Sequence, residues 1–520
     1  MKDEKQRIRW RPGIIIAILG VVAFVAARVI DVWPYEQART MAMLAAVAGT
    51  ALLLLVWWLF FSRAPIAVRL APILVCGLFP AFFRHRGMTG DFIPLFEFRF
   101  AKNGAAAAVG GKSAMTAGRD DFPQAFGKNR DARLSGPALD SDWKNHPPQV
   151  LWRLPVGAAW SGFAIIGERA LTMEQQGEEE SVTCRELTTG KLLWSTPNAG
   201  HYHHPIAGEG SRTTPTVHGN RVFTFGATGT LRCLDLETGK PLWTRDVMKD
   251  AALKEVPMWG FSSSPLVHEG KVIVSAGIAT ADGKALDGAP ASSLLAYDAT
   301  TGEPVWKAGS RPINYSSPFL LTLAGRPQIV MFNTEAITAH DLATGAVLWE
   351  RAWGKGMPHV ARPIPVGTNR VLFSSGYGVG SALIEIAPGA DGGLAASEVW
   401  KQIKFQAKFS NPVERGGFVY GVSDGMFACL DLKDGTVRWK GGRYGHGQGL
   451  LVGEHYLQMT EIPGDIVLLH PTPEAANELA RFRVFDEKTW NPLALSGDLL
   501  LVRNDREAAC IRLPLAKTAP

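Results

Sequence analysis

Four cationic or titratable residues and four large aromatics recur beside one short motif. The motif is a pair of small polar residues before a proline. It reads Arg212-Thr213-Thr214-Pro215, Ser262-Ser263-Ser264-Pro265 and Tyr315-Ser316-Ser317-Pro318. Further copies are Ala361-Arg362-Pro363, Lys408-Phe409-Ser410-Asn411-Pro412 and Trp490-Asn491-Pro492. Trp160-Ser161-Gly162 and Gly445-His446-Gly447-Gln448 hold the same place without the proline. Small residues there fit crowded strands. Arg212, Arg362, Lys408 and His446, with Trp160, Trp259, Tyr315 and Trp490, do not need that explanation. Brought together in one concave mouth, they would form a ligand site rimmed by aromatics. Three permanent positive charges would favour an anionic ligand or an acidic peptide segment. Glu209 and Glu255 are near enough in sequence to neutralise them, which would leave a hydrogen-bonded plug instead.

Other candidate chemistry is weaker. His201, His203 and His204 alternate in one loop, but no Cys or carboxylate at ligand spacing completes a four-ligand metal set, so no metal is expected. The stretch Gly441-Gly442-Arg443-Tyr444-Gly445-His446-Gly447 follows a strand and opens no helix, which argues against a phosphate loop. There is no C-x-x-C-H for a fused haem.

What must position the eight residues is a repeat. Asp235-Leu236-Glu237-Thr238-Gly239 precedes Trp243, and Asp298-Ala299-Thr300-Thr301-Gly302 precedes Trp306. Asp341-Leu342-Ala343-Thr344-Gly345 precedes Trp349, and Asp431-Leu432-Lys433-Asp434-Gly435 precedes Trp439. Leu187-Thr188-Thr189-Gly190 before Trp194 is a shorter copy. The pattern predicts a strand ending at an Asp that caps a turn. A glycine then takes the left-handed conformation, and the next strand carries Trp between packed sheets. With Trp152, Trp400 and Phe482 at the same position, eight anchors lie 42, 49, 63, 43, 51, 39 and 43 residues apart. Each interval holds four short strands, the period of a propeller blade.

The last anchor is followed by three strand-like stretches. The outer strand missing from an eighth blade would be residues 149–156, so the chain ends would close the ring together. The expected fold is mainly β: an eight-bladed propeller over residues 150–514, with seven blades as the alternative, and a tail at 515–520. Cys184, Cys233, Cys429 and Cys510 share one repeat position with Ala296 and Ala339. A site that accepts Cys or Ala is a small buried packing position.

The first hundred residues follow a different logic. A basic leader (Lys2, Lys5, Arg7, Arg9, Arg11) precedes apolar runs at about 13–30, 41–61 and 67–83. The second has 21 uncharged residues, with Trp57 and Trp58 as interface anchors. The third is shorter and contains Pro72 and Pro80. Residues 1–86 therefore read as an anchor of two or three transmembrane helices. The leader holds the N-terminus in the cytoplasm, and three spans would put the rest outside. Residues 87–118 read as a flexible linker and 119–149 as a strap leading into the propeller. The net charge of +6 is mild, and no basic stretch interleaved with aromatics suggests nucleic acid. Five Cys exclude a disulfide-built scaffold.

The turn-and-tryptophan repeat resembles the pyrroloquinoline-quinone (PQQ)-type propeller family. That family holds quinone-dependent alcohol and glucose dehydrogenases and the non-enzymatic lipoprotein of the outer-membrane β-barrel assembly machinery. Asp121-Phe122-Pro123-Gln124 through Gly127-Lys128-Asn129-Arg130-Asp131 resembles the lead-in of large membrane-anchored members. The resemblance implies a binding or assembly platform for envelope proteins or an anionic ligand. It would be integral to the bacterial inner membrane, with its propeller in the periplasm. The alternative is a PQQ- and calcium-dependent dehydrogenase passing electrons to membrane quinones. The chain lacks the adjacent cysteines of the alcohol dehydrogenases, and no motif matches the calcium-binding set. No cofactor is firmly implied, and catalytic residues are not identified.

Overall fold

The computed structural model describes residues 8–30, 32–33, 35–100, 120–277, 292–354, 358–390 and 392–516. They form two compact units, residues 1–104 and 105–520.

In the first unit, α1 (Trp10–Val29) packs on α2 (Glu36–Val56), which runs on through a wider π-helical turn, Trp57–Phe61. The two helices approach closely because Gly20 has no side chain: a Cβ there would fall 2.2 Å from Thr50 Oγ1. Both are long and apolar enough to cross a membrane. The helix α3 (Ile66–Phe82) is shorter, contains Pro72 and Pro80, and has no buried residue. It leads into an antiparallel hairpin of Phe83–Met88 and Pro94–Phe98. Residues 87–98, expected to begin the linker, are thus largely this hairpin. Residues 101–119 lie outside the described residues.

The second unit is a propeller of eight four-stranded antiparallel blades, not seven. Blades 1 to 7 span residues 164–196, 216–246, 266–308, 319–352, 364–402, 413–443 and 449–485. Blade 8 combines Ala494–Ser496, Leu499–Arg503 and Glu507–Arg512 with Gln149–Pro155 as its outer strand. The closing strand is the one the repeat count required, and it hides the sheet edge that an open ring would expose.

The turn motif caps itself as its residues dictate. Asp235 Oδ1 accepts from the Thr238 N–H at 2.9 Å, and Asp298 and Asp341 do the same for Thr301 and Thr344. These bonds hold all three carboxyls below the usual range; for Asp341 the Arg326 guanidinium is the larger cause. Most of the anchor tryptophans read the turn of the following blade rather than their own. The Trp194 indole N–H donates to Leu236 O at 3.1 Å, and its ring lies against Gly239. Trp152 pairs likewise with Leu187 and Gly190, Trp243 with Ala299 and Gly302, and Trp400 with Leu432 and Gly435. Blade 5 has no such turn, and Trp349 donates instead to Gln328 Oε1 within its own blade. The four repeat cysteines are buried and free. Each is the cross-strand partner of an anchor, as Cys233 is of Trp243.

A second contact between blades runs round the channel. The N–H of Gly162 donates to Thr214 Oγ1, Thr214 N–H to Ser264 Oγ, and Ser264 N–H to Ser317 Oγ, at 2.9–3.0 Å. Arg362 N–H donates to Asn411 Oδ1, Asn411 Nδ2 to Gln448 Oε1, and Asn491 Nδ2 to Ser161 O. The small polar residues before proline are therefore inter-blade acceptors and donors.

Residues 120–146 thread past the inner strands. Phe122 bridges Ile165 of blade 1, and Pro123 O accepts from Val217 N–H of blade 2. The Arg130 guanidinium donates to Ser264 O and Pro265 O and lies 5.3 Å over the Phe319 ring of blade 4. Arg133–Leu134 adds a parallel strand inside blade 7, and Leu139 bridges Leu515 beyond blade 8.

The docking geometry makes a paired prediction. Gly239 and Gly270 both have φ +70°, but a Cβ at Gly239 would fall 2.4 Å from Trp194, whereas at Gly270 it meets open space. Gly270→Ala should cost about 1 kcal/mol of backbone strain. Gly239→Ala should cost about 2 kcal/mol more, because a packed ring must shift. Denaturant midpoints of the two variants measure the difference.

Candidate functional site

The mouth is the end of the propeller where the inner strands begin. The structure divides the eight sequence-selected residues into two aromatic groups and two separate cations.

The first group lies on blades 2 to 4 and the connections between them. Trp259 and Tyr315 rings sit 5.2 Å apart, and His204 meets the edge of Trp259 at 6.4 Å. Arg212 lies 4.5 Å over the Tyr202 ring, whose hydroxyl donates to Met258 O at 2.6 Å. The Arg212 guanidinium is turned back onto its own loop, donating to the carbonyls of Ala207, Gly208 and Gly210. Burial lowers its pKa to about 10 and raises that of Tyr315 to about 12. Arg212 therefore organises the loop 202–212 more than it faces a ligand.

The second group joins blades 6, 7, 8 and 1. Trp490 stacks within 5.0 Å of Trp160 and 5.4 Å of Phe409, and Phe409 meets His446 edge-on at 5.6 Å. Trp490 donates to Glu461 Oε1 at 2.8 Å, and the other oxygen of that carboxylate accepts the His446 backbone N–H. Trp160 donates to Ala207 O, which links this group to the loop of the first.

Lys408 and Arg362 stand apart. Lys408 is buried and pairs with Asp424 at 2.8 Å, beside the Tyr377 ring. Arg362 is 3% exposed, donates to Pro412 O at 2.9 Å, and feels Asp131 and Arg133 of the strap. Burial lowers its pKa to about 10. The three cations thus do not form one positive mouth. Glu209, a sequence candidate for neutralising them, lies 3.5 Å from His203 instead, and His201 lies 3.5 Å from Glu178. His204 Nδ1 accepts from Ile206 and Ala207 N–H, so the three histidines point to different partners.

Two important residues were missed from sequence. Lys488 lies two residues before Trp490 and sits over both Trp490, at 3.9 Å, and Trp160, at 4.8 Å. Its signal was the motif position itself, four residues before the proline, which Lys408 occupies before Pro412. Glu180 is buried at the joint of blades 1 and 2, accepting from Ser211 Oγ and Ala227 N–H. Burial raises its pKa, against the pull of Ser211 and Arg212. It belongs to the acidic run Glu178-Glu179-Glu180. Strand alternation would have turned one member inward.

Eight blades, five of whose joints are tryptophan on glycine, with an aromatic mouth, define a propeller of the PQQ-like repeat class. The family model described as outer membrane protein assembly factor BamB matches residues 178–441, and the chain belongs to that family. It is 24% identical over 288 residues to the outer membrane protein assembly factor BamB of Shewanella oneidensis. That alignment covers 51% of this chain and 65% of the relative, so the chain spans just under two thirds of the relative's length. Among solved structures it is similar to BamB from Moraxella catarrhalis, with 14% identity, TM-score 0.49, and coverage of 70% of this chain and 100% of that one. It is also similar to a quinohemoprotein alcohol dehydrogenase from Pseudomonas putida, with 12% identity, TM-score 0.47, and coverage of 71% and 77%.

The mouth wall holds a titration that can be measured. His359 is fully buried, its ring 5.4 Å from Phe332, and its backbone carbonyl accepts the Tyr315 N–H. Burial lowers its pKa to about 4. Between the unfolded value near 6.5 and about 4, the unfolded chain binds a proton that the folded protein refuses. Stability is therefore full above pH 6.5 and should fall by about 1.4 kcal/mol per pH unit down to about 4. His359→Gln should remove that slope in denaturation curves taken from pH 7 to 4.

Proposed function

We propose that this protein is a membrane-tethered binding platform for envelope proteins, with its propeller in the periplasm and α1 to α3 in the inner membrane. The observation that carries the reading is the family match, because the family is that of an outer membrane protein assembly factor. The mouth supports it. Arg212 and Lys408 have their charges answered locally, so what the mouth presents is aromatic surface, with Trp259 and Tyr315 on one side and Trp490, packed on the buried Trp160 and on Lys488, on the other. Aromatic anchors of this kind suit a protein or peptide surface better than a small anion. The basic leader and two long apolar helices support the anchor and its orientation.

A photoreactive phenylalanine placed at Tyr315 in the full chain, in native membranes, tests the reading. Crosslinks to β-barrel assembly proteins of the envelope are expected. They should be lost with Trp259→Ala and absent when the probe is moved to Arg133 on the strap. Saturable binding of pyrroloquinoline quinone with calcium, coupled to dye reduction by alcohols or sugars, would overturn the platform. A C-terminal reporter active only in the cytoplasm would overturn the three-span orientation.

A further inference from the structure

The hairpin that follows α3 is two-faced. Its register places Phe83 opposite Phe98 and His85 opposite Phe96, so these four share one face. Arg84 lies opposite Glu97 on the other, where Glu97 accepts from Arg84 at 2.7 Å and lies 3.6 Å from Arg86. The last turn of α3 extends the aromatic face. Phe79 stacks on Phe83 at 4.8 Å and meets the edge of Phe96 at 5.3 Å, and Phe82 lies 6.4 Å from Phe98. Although they touch one another, these rings remain open to solvent: Phe96 is 52% exposed and Phe98 43%. A cluster of phenylalanines has no polar handle, so only an apolar environment completes it.

We infer that this aromatic face of the Phe83–Phe98 hairpin lies in the lipid interface and completes the hydrophobic length of α3. The inference rests on the membrane-anchored reading above. Two features favour lipid over a protein partner. The face is continuous with α3, which is uncharged from Leu70 to Phe82 and has no buried residue, as a lipid-facing helix is. At 17 residues α3 is about 25 Å long, short of the roughly 30 Å hydrocarbon core, and the deficit falls where the phenylalanines begin. A two-stranded ribbon still has unpaired backbone groups on its edges, so it belongs among headgroups and water rather than in the hydrocarbon. There the Arg84, Arg86 and Glu97 face meets the aqueous side and lipid phosphates. A partly inserted ribbon of this kind makes α3 a full span without a longer helix.

The test uses the full chain reconstituted in phosphatidylcholine–phosphatidylglycerol vesicles. An environment-sensitive fluorophore is attached at Phe96→Cys, Phe98→Cys or Glu97→Cys, each in a Cys76→Ser background. The cysteines at 184, 233, 429 and 510 are buried and stay unlabelled in the folded protein. Labels at 96 and 98 should be quenched by nitroxides near the lipid headgroup and lose quenching by aqueous iodide. The label at 97 should show the reverse. The wild-type chain labelled at Cys76, on α3, reports the anchor separately. Lipid quenching at Cys76 with iodide quenching at both 96 and 98 would overturn the ribbon's insertion and leave the anchor standing. Loss of lipid quenching at Cys76 as well would overturn the anchor and the inference with it. Protection of 96 and 98 from iodide without lipid quenching would assign the face to a protein surface and overturn the lipid assignment.

Discussion

At five of the eight joints of this propeller, one blade approaches the next closely enough for an indole to lie against the backbone of a turn glycine. That constraint selects glycine at the turn, with a positive φ and no Cβ, and tryptophan on the strand of the blade before it. It also selects the small residue opposite the tryptophan, which is why Cys and Ala interchange there. One contact, repeated, sets the spacing between sheets, and the channel radius follows from it. At that radius the backbone N–H of one inner strand reaches the side chain of the next: Thr214, Ser264 and Ser317 join into a chain of hydrogen bonds, and Arg362 N–H reaches Asn411 in the same way. Outer and inner contacts are two readings of the same distance.

The large residues of the motif are accommodated on top of that ring, and their fates differ by depth. Arg362 stands in the place of Thr214 and Ser264, directly before proline, and so is carried inward toward the strap. Arg212 stands two residues earlier and turns outward onto its own loop. A guanidinium in the channel cannot leave its charge unanswered, because burying an uncompensated ion costs several kcal/mol. Arg362 is met by a carbonyl and by Asp131, Lys408 by Asp424, and Arg212 by three carbonyls and an aromatic face. What is left to present is the part that needs no counter-charge, the aromatic rings.

The repeat, the blade number and the closing strand were legible because each is a matter of period. Tryptophan, glycine and strand alternation recur at fixed spacing, and a count of strands predicts which terminus supplies the missing one. The pairing of each tryptophan with the following blade was not legible, since sequence shows a turn and its own tryptophan side by side. The mouth was legible only as a set of positions. Period says that Arg212, Arg362, Lys408 and His446 approach the axis. It does not say at what height, nor that Asp424 or Glu461 waits there. Those partners sit in the turns between second and third strands, where a lone carboxylate has no repeat to mark it. Glu180 escaped for the same reason. The hairpin after α3 was hidden differently: in a stretch too short for a domain, its alternation of phenylalanine with charge passed for part of a linker.

The strap gives the mouth its stiffness. Between residues 121 and 139 one segment bonds or packs against inner strands of blades 1, 2, 3, 4, 6 and 7 and reaches the chain beyond blade 8. It meets several of them near their far ends, at Ile165, Val217 and Leu451, opposite the motif residues. A ring of separate sheets can breathe by small changes at each joint. A chain bonded to most of the joints at once makes those changes cooperative, because opening one joint strains the strap at the others. Arg130 is the tightest of these ties, buried among carbonyls with its charge over Phe319. The aromatic groups at the mouth are therefore held at fixed separation by a segment tied along the channel, from the motif residues Ser264 and Pro265 to the far ends of other inner strands. A surface fixed in that way loses little conformational entropy when a partner docks, which is the property a platform needs and an induced-fit pocket lacks.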